Sequence, residues 1–272
     1  MEDGGGGPSL ALRLQKRANL LRNILSFHKT NPKDYMELRS SSKYFHRALQ
    51  PPPLWTSLPH PTYKTLQSLL DRLEKLYSKD KSQVLPKIYI EEGEHCGGEV
   101  TVNIPTSIIG AGRGKTILLF GLKIAGNKSD GIVEIEDLTI KGGELCGLYA
   151  SGEHLNKYQG GGMNVIMRGI SVEDFQQCGV MAYKADVSCD DLQVVGCGRN
   201  GVRADYKATI TLSGQGTSIQ RNYYSKTFYG LHANSSSTIH LVHPLTREQI
   251  WMYSMEIGRS FYYTCTVWGG EN

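Results

Sequence analysis

Apolar residues recur along this chain with two different periods, and the period changes near residue 82. Between Leu10 and Phe27, apolar side chains at 14, 18, 21, 24, 25 and 27 mark a helix with one buried face. Asn31-Pro32-Lys33-Asp34 then reads as a helix start, with a capping Asn, Pro at the first helical position and an acid in the first turn. Met36, Leu38, Tyr44, Phe45, Ala48 and Leu49 continue at helical spacing, as two short helices that end at Pro51-Pro52-Pro53. Thr62 is placed to cap a further helix, whose Leu66, Leu69, Leu70, Leu73, Leu76 and Tyr77 form one apolar stripe. Beyond the polar stretch Ser78-Lys-Asp-Lys-Ser82 the pattern becomes that of short strands, beginning with Lys87-Ile-Tyr-Ile90, Val100-Thr-Val-Asn-Ile104, Ser107-Ile-Ile109 and Thr116-Ile-Leu-Leu-Phe120.

Within the strand region one quartet repeats: glycine, an aliphatic residue, a variable residue, alanine. It occurs at Gly147-Leu-Tyr-Ala150, Gly179-Val-Met-Ala182, Gly201-Val-Arg-Ala204 and Gly230-Leu-His-Ala233, at intervals of 32, 22 and 29 residues. Repetition of this kind is the signature of a solenoid. In a strand, the aliphatic residue and the alanine point one way and the middle residue the other. Three of the quartets follow a paired-strand motif: Val133 to Ile140, Val165 to Val172, and Val187 to Val194. A fourth version, from Ile210 to Ile219, carries an insertion. Two short strands, a turn and a Gly-started third strand make one coil of a right-handed parallel β-helix, a single-stranded solenoid. The expected fold is therefore mostly β, with about five or six coils and an N-terminal α-helical module or cap. The expected organisation is a leader over 1–9, helices over 10–80, the β-helix over 83–245 and a C-terminal cap or tail over 246–272. A β-helix has open ends. The helix at 62–77 is placed to cap the first coil, and the aromatic-rich tail is a candidate for the last.

Composition changes this picture only modestly. The chain has 272 residues, 39% hydrophobic and 21% charged, with no apolar run approaching the roughly 20 residues of a membrane span. The N-terminus lacks the basic and apolar regions of a secretory signal, so an intracellular, cytoplasmic or nuclear location is expected. Residues 1–81 hold 14 Lys and Arg against 7 Asp and Glu, whereas residues 82–272 hold 16 against 19. That asymmetry points to different partners for the two parts. The six cysteines include no Cys-x-x-Cys, so no metal site is expected. Cys146 and Cys178 each precede a quartet glycine, and stacked coils would bring them within about 4.8 Å. In a reducing compartment they read as small buried thiols.

Residues 19–55 carry Asn-Leu-Leu-Arg-Asn-Ile-Leu-Ser-Phe, then Asn-Pro-Lys-Asp-Tyr-Met-Glu-Leu-Arg, Ser-Lys-Tyr-Phe-His-Arg-Ala-Leu and a terminal Leu-Trp. This pattern resembles an F-box, although the usual opening Leu-Pro pair is absent. The resemblance implies docking on the Skp-type adaptor of a cullin–RING ubiquitin ligase through Leu20, Leu21, Ile24, Leu25, Leu38, Tyr44 and Phe45. The same leucines could instead be the core of a helical cap on the solenoid. Ile90-Glu-Glu-Gly-Glu-His95, followed by Ile108-Ile-Gly-Ala-Gly-Arg-Gly-Lys-Thr116, resembles the first coil of the pectin-lyase-like superfamily, particularly its F-box-linked members.

Two apparent sites dissolve on inspection. Gly110-Ala-Gly-Arg-Gly-Lys-Thr116 has Ile109 where a phosphate loop requires its first glycine, and a strand pattern follows where that loop needs a helix. Asp190-Asp191 sits where neighbouring repeats have Glu136-Asp137 and Arg168-Gly169, a turn position. The remaining acids, Asp174, Asp186 and Asp205, form no catalytic pattern of a polysaccharide enzyme. The variable quartet positions are more informative. Tyr149, Met181, Arg203 and His232, with Tyr183 and Asp205 beside them, form an outward ladder on a uniform scaffold, which is how solenoids build recognition surfaces. The leading expectation is a non-enzymatic adaptor, with the helices recruiting a ligase and the ladder binding a client protein. No cofactor, small-molecule substrate, membrane or nucleic acid is expected. Two alternatives stand: a carbohydrate-binding or carbohydrate-cleaving β-helix, and a structural interaction protein whose helices only cap the solenoid.

Overall fold

The computed structural model describes residues 55–60, 62–81, 85–152, 162–222 and 230–246, together with the backbone of 265–268. The expected F-box-like helices and the seven residues assigned to adaptor docking lie outside the described residues, as does most of the C-terminal tail.

Three parallel sheets run the length of the β region, one of nine strands and two of six. Each coil contributes one strand to each sheet in turn. The first coil is β2 (Lys87–Ile90), β3 (Gly93–His95) and β4 (Val100–Val102). Next come β5 (Thr106–Gly110), β6 (Thr116–Leu118) and β7 (Leu122–Ala125), then β8 (Ile132–Glu136), β9 (Thr139–Gly143) and β10 (Leu148–Ser151). The last three coils are β11 (Asn164–Arg168), β12 (Ser171–Phe175) and β13 (Val180–Tyr183); β14 (Asp186–Asp190), β15 (Gln193–Val195) and β16 (Val202–Asp205); and β17 (Thr209–Ser213), β18 (Ser218–Gln220) and β19 (Leu231–Ala233). The first sheet is longer because β1 (Trp55–Leu58) precedes the coils and β20 (Thr238–Val242) and β21 (Cys265–Trp268) follow them. This is a parallel β-helix of six coils.

The predicted registers are those observed. The quartets pair directly in the third sheet: Leu148 with Val180, Val180 with Val202, and Val202 with Leu231. Leu148, Ala150, Val180, Ala182, Val202 and Ala204 are fully buried. Ile140, Val172, Val194 and Ile219 stack in the second sheet, and Val133, Val165, Val187 and Ile210 in the first. One continuous apolar column results, in which each coil buries its neighbours' interior. The quartet glycine has a steric reason. A Cβ at Gly147 would stand 2.2 Å from Val172 Cγ1 and 2.8 Å from the Gly179 carbonyl oxygen.

The turn from the first to the second sheet is short and repeats one left-handed residue: Asp137 (φ 54), Gly169 (φ 62), Asp191 (φ 52) and Gly214 (φ 84). Gly and Asp tolerate that conformation better than most residues. Asp190 therefore ends β14 and Asp191 makes the turn, close to the expected turn at Asp190-Asp191, and Asp191 Oδ1 accepts the Gly216 amide at 2.8 Å. The segment 111–115 is likewise a turn, running from β5 into β6. Its Arg113 reaches along the turn column, donating to the carbonyl oxygens of Gly169 and Asp191.

The first coil is covered by helix α1 (Leu66–Tyr77), whose Leu66, Leu69, Leu70 and Leu73 join the core. Thr65, not Thr62, is the cap: its hydroxyl accepts the Ser68 amide, and Ser68 Oγ accepts the Thr65 amide in return. The expected start at Thr62 fails because His60 Nδ1 accepts the amides of Thr62 and Tyr63, holding that segment in a turn.

Candidate functional site

The outward ladder exists as a physical row on the third sheet. Lys123, Tyr149, Met181, Arg203 and His232 stand on successive strands in direct register. A parallel row holds Ser151, Tyr183 and Asp205. Successive members of each row are about 4.8 Å apart, the strand spacing. Tyr149, Met181, Tyr183, Arg203 and His232 are half-buried. Tyr183 packs against Tyr206 of the following turn, ring centroids 4.6 Å apart, and Tyr206 is 50% exposed.

Asp205 departs from the expected exposed ladder, for it is only 3% exposed. Its Oδ2 accepts from Arg203 Nε at 2.8 Å. Its Oδ1 is buried and has no hydrogen-bond partner among the described residues. A carboxylate oxygen withdrawn from water without a donor is costly, so this atom stands out as an acceptor in need of one. Strand alternation predicts which way Asp205 points but says nothing of what covers it.

A third row precedes the quartet glycines: Cys146, Cys178 and Asn200. Asn200 is buried, and its Nδ2 lies 3.5 Å from His232 Nδ1, a contact that suits a neutral imidazole carrying its proton on Nε2. Burial, reinforced by the Arg203 guanidinium and opposed by Asp205, holds the His232 pKa below its ordinary 6.5. A histidine depressed in this way lends its full stability contribution above pH 6.5 and loses it as pH falls below that value.

The other acidic candidates lie elsewhere. Asp186 pairs with Lys128, Asp174 with Lys141, and Asp190 accepts from Ser213 Oγ at 2.8 Å. None of them lies on the third-sheet rows, so Asp205 is the carboxylate of that face among the described residues. No group of three His, Cys, Asp or Glu suited to a metal ion occurs among those residues.

No family model matches the chain, and no curated protein does either. Among solved structures, the chain is similar to the catalytic domain of a GH87 α-1,3-glucanase in complex with tetrasaccharides. Identity is 14%, the TM-score is 0.30, and the match covers 71% of this chain and 46% of that one. The chain thus spans less than half the length of the glucanase domain, and a likeness of this size assigns it no substrate. Two expectations are not retained. The reading as a non-enzymatic ubiquitin-ligase adaptor is corrected: no family model, an F-box model included, matches the chain, and the solved structure it is similar to is a glucanase domain. The expectation that the chain is not an enzyme falls with it.

Proposed function

We propose that the outward face of the third sheet binds a carbohydrate chain lying along the stack of coils. The observation that carries this reading is the tilted Tyr183–Tyr206 pair, Tyr206 exposed, beside half-buried His232 and Arg203, whose guanidinium the Asp205 carboxylate holds in place. A guanidinium donates hydrogen bonds and a neutral imidazole both donates and accepts them, and sugar hydroxyls can meet either need. The tilted Tyr183–Tyr206 pair offers an apolar surface with polar tips at the edge of the same rows, suited to the faces of sugar rings. A saccharide running along the stack meets a new coil about every 4.8 Å. Cleavage of the chain belongs to the same reading, with the His232 imidazole as the group on this face able to take a proton. Glycoside hydrolysis by paired carboxylates would need a second acid beside Asp205, and His232 is the titratable group that stands there.

Asp205→Asn tests the proposal, since the amide keeps the shape and an acceptor for Arg203. Binding of neutral oligosaccharides, first by array and then by calorimetry, should weaken at least about tenfold, through loss of the charge-assisted hydrogen bond that orients Arg203. Release of reducing ends from the same glycans should fall with it. Thermal unfolding followed by circular dichroism checks that the variant is folded. Equal glycan binding by a folded Asp205→Asn and the native chain, or no binding by either, overturns the reading.

A further inference from the structure

The row of residues before the quartet glycines contains chemistry that saccharide binding does not use. Cys146 and Cys178 each lie two residues before a pair of directly opposed residues, Leu148 and Val180. The Gly147 amide donates to the Cys178 carbonyl at 3.1 Å, so the two cysteines stack on neighbouring coils. Neighbouring strands lie about 4.8 Å apart, inside the Cα separation that a disulfide spans. Both thiols are free, Cys146 half-buried and Cys178 2% exposed, which leaves Cys146 as the way in from solvent.

We propose that Cys146 and Cys178 are an oxidisable thiol pair that closes to a disulfide between neighbouring coils when a peroxide or a small-molecule disulfide accepts their electrons. With hydrogen peroxide, the Cys178 thiolate attacks one oxygen and the O–O bond breaks. Cys178 becomes a sulfenic acid, and the departing hydroxide takes a proton to leave as water. The Cys146 sulfur then attacks the Cys178 sulfur and the S–O bond breaks. A second water leaves with the Cys146 proton, so two thiols and one peroxide become one disulfide and two waters.

The surroundings favour charge on Cys178. A hydrogen bond from Cys146 lowers its pKa most, the Asn200 backbone and Arg203 lower it further, and burial opposes them. The Cys146 thiol is correspondingly pushed up, because it is the donor. Asn200 Nδ2 also points at Cys178 Sγ, at 4.0 Å. The other buried thiols lack this support: burial pushes Cys189 and Cys197 up to about 12. Closing the bridge would remove the negative sulfur facing Arg203, beside the proposed saccharide face. The pair's chemistry does not depend on any ligand there.

The test uses the reduced full-length chain in native buffer. It is treated with hydrogen peroxide or oxidised glutathione, quenched with N-ethylmaleimide, unfolded and mapped by peptide mass spectrometry. Of the six cysteines, Cys146 and Cys178 should lose alkylation together and appear as one cross-linked peptide pair, restored by dithiothreitol. Their loss should be faster at about pH 8 than at about pH 6, as a thiolate attack requires. Persistence of both thiols under treatment that oxidises the exposed Cys96, or bridges from either to another cysteine, overturns the proposal. In Cys146→Ser, Cys178 should stop at a sulfenic acid trapped by dimedone. The native chain's peptide map decides the matter without that variant if it fails to fold.

Discussion

A Cβ added at Gly179 would lie 2.3 Å from Val194 Cγ1 and 2.8 Å from the Gly201 carbonyl oxygen. Both obstacles belong to the next coil, one in its side-chain core and one in its backbone, so neither can yield without opening the stack. Overpacking of this kind typically costs about 1–3 kcal/mol. Gly179→Ala should therefore lower stability by about 2–3 kcal/mol in urea unfolding. Gly98→Ala, at an exposed site with nothing within 4 Å, should change it by less than about 0.5 kcal/mol. Equal effects at the two sites would mean that the quartet glycine is not selected by close packing. The same residues explain why the rungs were legible in sequence. Gly, aliphatic and Ala are each dictated by an interior contact that recurs through the last four coils. Asp205 is dictated by no such contact, so its buried, unpartnered oxygen left no trace in the pattern.

At the scale of elements, the first strand of the third sheet would present an open edge, and one side chain of α1 closes part of it. Gln67 Oε1 accepts the Thr101 amide at 2.7 Å, and Gln67 Nε2 approaches the Thr101 carbonyl oxygen at 3.4 Å. The side-chain amide thus pairs with β4 as a neighbouring strand would, and Leu66, Leu69, Leu70 and Leu73 seal the core beneath it. Removing one partner of such a pair costs about 1–2 kcal/mol. Gln67→Ala should destabilise by that amount in urea unfolding, and Gln67→Glu, which keeps the acceptor for the Thr101 amide, by less. Equal loss in the two variants would place the effect in helix packing and not in edge pairing. The helix itself was legible from its leucine stripe. The polar contact was not, because Gln67 reads as an ordinary exposed residue until its neighbour at position 101 is known. Nor was β1 legible. Trp55–Leu58 lies between Pro53 and Pro59, a context that reads as the end of a helical segment until pairing with β2 reveals a strand.

Across the whole molecule, stability should behave as a sum over coils and their nearest-neighbour contacts, with terminal coils opening before central ones. Arg113 breaks that locality. It leaves the turn of the second coil, passes the left-handed Asp137 of the third, and donates to carbonyl oxygens at Gly169 in the fourth and Asp191 in the fifth. One side chain therefore links coils that share no strand pairing, and a guanidinium holding two carbonyls is worth more than a neutral hydrogen bond. Arg113→Ala should cost about 1–3 kcal/mol and, more tellingly, reduce cooperativity. In a linear solenoid, losing a contact between distant coils lets the two ends open at different denaturant concentrations. Hydrogen exchange should then show faster amides in the turn segments around 169 and 191, with the rung strands of the third sheet unchanged. Arg113→Lys places a charge there without the planar fork and should recover only part of the loss. A single sharp urea transition in Arg113→Ala, with native exchange at both turns, would show that nearest-neighbour stacking alone makes this β-helix cooperative.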